Sequence, residues 1–136
     1  MSATVPGSRV AIVCRSGDAA LQATYAFAEH LGLEAVTAGE VEGSFLERLE
    51  GLQGAGFAVI VMGPGASPGE LLLETGFLLA APGPSRMCLL LADGAQPGPE
   101  LQDLPRYAMD GGGLWRLLLA REMRRAGLNV DLNRAI

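Results

Sequence analysis

The chain has 136 residues and a formal charge of −5, from fifteen carboxylates against ten arginines with no lysine, a balance that argues against nucleic acid as a partner. Nearly half the residues are hydrophobic but only seven are aromatic, so the core must be built from Leu, Val, Ile and Ala, and the length suffices for one domain without metal or disulfide. No apolar run approaches the roughly 20 residues of a membrane helix, and the first residues lack the basic-then-apolar layout of a signal peptide.

The expectation is therefore a cytoplasmic domain with no membrane partner, residues 1–8 forming a flexible N-terminus and residues 9–136 the domain. Three short apolar runs, VAIVC at 10–14, FAVIVM at 57–62 and MCLLL at 87–91, are bounded by Gly, Pro or charge and read as strands buried on both faces. After the first run, Asp18 predicts a helix cap, Leu21, Tyr25, Ala28 and Leu31 one apolar face, and Gly32 the stop. Residues 34–37 are a further strand candidate.

Ser44 and Glu47 then have capping-box spacing and open a second helix, with Phe45, Leu49 and Leu52 as its buried stripe and Gly54 and Gly56 ending it. The glycine- and proline-rich residues 63–69 must turn sharply before a third helix at 70–80. A long loop at 92–104 leads to a short edge strand at 106–109. A final helix carries Trp115, Leu119, Met123 and Ala126 on one stripe and ends at Gly127. Strands alternating with helices imply right-handed crossovers and a doubly wound, flavodoxin-like α/β fold: a five-stranded parallel sheet in the order 2-1-3-4-5.

In such a sheet ligands bind beyond the carboxyl ends of the strands, where the first and third diverge, which directs attention to residues 15–18 and 63–70. The third helix is apolar nearly all round, yet Glu70 and Glu74 fall one turn apart on it. A mid-helix carboxylate in such surroundings needs a cation, hydrogen bonds or an open cleft, so Glu74 is the leading functional candidate, with pairing to an arginine as the ordinary alternative. Glu70 suits a helix start.

Other chemistries lack their atoms. His30 is the only histidine, which leaves no metal cluster and no separate base for a serine triad; its ordinary role is a solvated cation at a helix C-terminus. No GxxxxGK[ST] loop exists, and residues 15–18 form only a weak anion nest. A response-regulator receiver needs an aspartate closing the third strand, where this chain has Met62-Gly63. Arg116, Arg121, Arg124 and Arg125 crowd the last helix, as a solvated face or a local anion or partner surface. Cys14 and Cys88 fall in the first and fourth strands, with a whole strand between them, so free buried thiols are expected.

The order of these segments resembles a family, the predicted nucleotide-binding proteins with a TIR-like domain found in bacterial antiphage defence effectors, including those fused to STING or other sensors. The likeness rests on VAIVCRSGD, LGLEAV, FAVIVMGP, LLLETGFLLAAPGPSRMCLLL and, in the tail, Leu104-Pro105, Trp115 and AGLNVDLNRAI. It implies that Glu74, in Leu-Glu-Thr-Gly, is the catalytic glutamate of an NAD hydrolase that cleaves the nicotinamide-ribose bond. No metal or cofactor is implied, NAD being the substrate. Arg15, Ser16, Asp18, Ser44, Gly63 and Glu70 are the implied substrate-binding positions. Self-association into an oligomer, or a sensor domain such as STING, is the implied partner, through residues 38–43.

Two stretches depart from the family's pattern. The basic loop before the catalytic helix is cut to Ala66-Ser67-Pro68-Gly69-Glu70, and the His-Gly-like turn reads Arg15-Ser16-Gly17, with Asp18 kept. The alternatives are a TIR-like scaffold without activity, or a nucleoside deoxyribosyltransferase-like enzyme.

Overall fold

Apolar side chains in an unbroken run can all be buried only if both faces of a strand are covered, and β-branched residues favour the extended backbone. The apolar runs of this chain are strands in the computed structural model, which describes residues 9–15, 18–37, 56–63, 84–92, 104–109 and 112–135. They are β1 (Arg9–Arg15), β2 (Glu34–Thr37), β3 (Phe57–Met62), β4 (Met87–Ala92) and β5 (Arg106–Met109). All pair in parallel in the order β2-β1-β3-β4-β5, the arrangement expected from the sequence. The first and fourth strands run one or two residues beyond the apolar runs that predict them. The helices expected at 44–54 and 70–80 lie outside the described residues.

The side chains alternate between two buried layers. Val10, Ile12, Val59, Val61, Cys88 and Leu90 face a core shared with two helices, α1 (Asp18–His30) and α2 (Leu114–Arg125). Ala11, Val13, Ala58, Ile60, Met87 and Leu89 form the core of the other face. Cys14 and Cys88 stand on strands with β3 between them, and Cys88 is a free buried thiol. Two interstrand spacings of about 4.8 Å exceed the Cα separation a disulfide spans.

Both helices end in the same way. Gly32 adopts φ +82° and Gly127 φ +103°, conformations that cost a side-chain-bearing residue about 1–2 kcal/mol. Behind each, two backbone bonds close a Schellman motif: Gly32 N to Glu29 O (2.9 Å) with Leu33 N to Ala28 O (3.0 Å), and Gly127 N to Arg124 O (3.0 Å) with Leu128 N to Met123 O (3.1 Å). Leu33 and Leu128 are thereby turned into the core.

The stripe on α1 is rotated from the one its spacing predicts. Thr24, Phe27, Ala28 and Leu31 are its buried residues, whereas Leu21 and Tyr25 are half-buried. Phe27 wins the inner position because it meets the Trp115 ring edge-to-face, centroids 5.6 Å apart at 70°, and such a pair adds about 0.5–1.5 kcal/mol to its buried area. Thr24 satisfies its hydroxyl by donating to Ala20 O at 2.9 Å. On α2, the predicted Trp115, Leu119 and Met123 are all buried, and Ala126 caps the helix.

Arg86, closing a 3-10 turn before β4, ties three elements together. Its Nη1 donates to Gly56 O at 2.9 Å, at the entry to β3, while Gly56 N donates to Arg9 O at 2.8 Å. Its other terminal nitrogen passes the Gly127 cap, where a cation complements the negative end of α2.

Leu119→Ala, at a wholly buried position on α2, should lower stability by about 2–5 kcal/mol. Leu114→Ala on the same helix, at a side chain 58% exposed, should change it by less than ~0.5 kcal/mol. Urea unfolding midpoints at unchanged slope test the pair.

Candidate functional site

In a parallel sheet the chain must leave the carboxyl end of each strand and return to the opposite edge, so neighbouring strands whose connections depart to opposite sides leave a crevice between them. β1 leads through α1 to β2 on one side, while β3 leads toward β4 on the other. The crevice therefore opens where Arg15 of β1 stands in register with Met62 of β3. Gly63, the next residue, is buried at that edge. Three residues beyond Arg15, Asp18 is the first residue of α1, whose unpaired amides face the same end of the sheet.

Three of the predicted positions, Arg15, Asp18 and Gly63, are thus brought to one edge of the sheet by backbone alone. Glu74, Glu70, Ser16 and Ser44 lie outside the described residues. Among the described residues no cluster of three or more His, Cys, Asp or Glu could hold a metal. His30 is exposed at the end of α1, and Arg116, Arg121, Arg124 and Arg125 are all exposed.

A polar cluster not anticipated from the sequence joins the edge strand to the last helix. Tyr107 Oη donates to Glu122 Oε2 at 2.8 Å, across fifteen positions of chain. Burial, then the hydrogen bond to Glu122 and its negative charge, push the Tyr107 phenol up to about 12, against a lowering pull from Arg121. Burial, with Glu122 as the second cause, pushes the Cys88 thiol up to about 12 as well. A thiol kept protonated is a poor nucleophile, and a phenol held as a donor fastens β5 to α2. The cluster is architectural. Its only sequence signal is Glu122 lying beside the stripe of Leu119 and Met123.

These shifts make stability fall in alkali. The unfolded thiol sheds its proton near pH 9.0 and the unfolded phenol near pH 10.0, while the folded groups keep theirs to about 12. Between those limits the unfolded chain binds fewer protons, so its free energy drops relative to the native state as pH rises. The stabilisation is complete below pH 9 and disappears through pH 12. In melting curves from pH 8 to 12, wild type should lose Tm more steeply than Tyr107→Phe or Cys88→Ala. Comparison with family models, with curated proteins and with solved structures finds no match to this chain.

Proposed function

We propose that this chain is a TIR-like module that cleaves NAD at the nicotinamide-ribose bond, with Glu74 as its catalytic carboxylate. The observation that carries the reading is the switch point between β1 and β3, where Arg15 and Gly63 stand at adjacent carboxyl ends as a ligand-binding α/β sheet requires. The ordered motifs, above all Leu-Glu-Thr-Gly at 73–76, supply the choice of reaction.

The chemistry suits a single carboxylate. Nicotinamide leaves as a neutral molecule from a cationic ring, taking the electron pair of the bond to ribose C1′, so no acid is needed to assist it. Positive charge builds on the sugar, and Glu74 stabilises that charge and orients the ribose hydroxyls. Water adds its oxygen at C1′ and releases a proton. Arg15, with Ser16, Asp18, Ser44, Gly63 and Glu70, would hold the dinucleotide. Assembly, by self-association or through a sensor such as STING in cytoplasmic antiphage defence, completes the site.

The abbreviated stretch at 66–70 favours one rival, a TIR-like scaffold that no longer accepts the dinucleotide. Nicotinamide release should be measured on wild type, Glu74→Ala and Glu74→Gln, each folded and artificially clustered. Release by wild type, falling about 100-fold or more in both variants, supports the hydrolase. Release unchanged in Glu74→Gln removes that residue from the mechanism, and no release from any sample favours the scaffold. Cleavage of nucleosides but not NAD would indicate the deoxyribosyltransferase-like enzyme.

A further inference from the structure

The groove between α1, the start of α2 and the 3-10 turn Leu132–Ala135 belongs to neither the crevice nor the Tyr107 cluster. It encloses about 590 Å³. We propose that it is a docking surface for an acidic, amphipathic segment of a partner protein.

The groove's walls are apolar. Phe27 forms part of the floor, and Leu114 and Leu117 line one side. Leu114 is 58% exposed, the one exposed large apolar side chain among the described residues. Every polar side chain that lines the groove is basic, namely His30, Arg116 and Arg134, and no acidic residue lines it. Neither Arg116 nor Arg134 has a carboxylate partner among the described residues. Asp131, three residues before Arg134, accepts the amide of Asn133 at 3.0 Å.

Arg116 is held in place before any partner arrives. Its guanidinium lies 5.0 Å from the centre of the Trp115 ring, a cation-π contact. It also folds back across Gly113, so closely that a Cβ there would come within 2.6 Å of Nη1. This sets a cation over the amino end of α2, whose first turn has no acidic residue and whose cap makes no side-chain hydrogen bond. Like charge against the positive end of a helix is unfavourable, and an arriving carboxylate relieves it.

Apolar walls with a basic rim select apolar side chains flanked by carboxylates, the face of an acidic amphipathic helix. A small polar metabolite would find only His30 and the two arginines as hydrogen-bonding side chains along these walls.

Amide NMR spectra of the full chain test the assignment. The probes are a synthetic helical peptide with leucines on one face and glutamates beside them, its lysine-for-glutamate counterpart, and sodium glutamate at matched carboxylate concentration. The acidic peptide should shift the resonances of Phe27, Leu114, Leu117 and Ala135. Its affinity should fall about tenfold or more in Arg116→Glu/Arg134→Glu, exposed positions whose spectrum reports retained folding. The reversed protein should take the lysine peptide instead. No shift at these residues, or equal binding of both peptides by wild type, overturns the proposal. Shifts from sodium glutamate alone would reveal a small-anion site, and shifts with protein concentration alone would seat a second copy; either result also overturns it.

Discussion

Burial of β1, β3 and β4 on both faces is the constraint from which the rest of this molecule follows. Val59, Ile60 and Val61 have no exposed surface, and neither do their register partners Ile12, Cys88 and Leu89. Side chains in such positions cannot be polar, and backbone amides there can be satisfied only by neighbouring strands. The polar groups are therefore driven to the strand ends and to the outer faces of the helices. The strand ends, where Arg15 and Gly63 stand side by side, are where polar groups and an apolar sheet meet.

Polar contacts in this fold act as fasteners at the margins of that apolar slab. Arg86 links the entries of β3 and β4 to the end of α2, and Tyr107 links the edge strand β5 to the middle of the same helix. Both join segments distant in sequence, where loop-closure entropy opposes contact, and both sit where burial is partial and a hydrogen bond is not fully exposed to competing water. The surface pair of Arg9 and Glu34, at 3.4 Å and substantially solvated, contributes little by comparison.

α2 consequently has two distinct ends. Its carboxyl end is neutralised by Arg86 and by Arg124 and Arg125 of its own last turn, the arrangement its dipole favours. Its amino end has Arg116 laid across it and no acidic side chain in the first turn. The imbalance marks the α1–α2 groove as a surface separate from the crevice, with partner recognition on one face of the domain and ligand chemistry proposed at the strand ends.

Much of the fold was legible in the sequence because it depends on local rules. The strands β2, β3 and β5 begin and end where their residues predict, and for β3 an unbroken apolar run between Gly56 and Gly63 leaves little freedom. Gly32 and Gly127 announce the helix ends because few other residues adopt their backbone angles without strain. Of the candidate site, the sequence by itself determined that residues 15–18 and 63–70 follow adjacent strands and that Asp18 opens a helix, because strand order follows from the crossover rules, whereas the extension of β1 through Arg15 appears only in the structure. Only the tertiary structure decided which face of α1 turns inward, since Phe27 takes the core position by meeting Trp115, nearly ninety residues away. It alone brought Tyr107 to Glu122 and folded Arg116 over Gly113. Those contacts depend on where helices settle against a finished sheet, and periodicity along a chain carries no information about the neighbour a side chain will find.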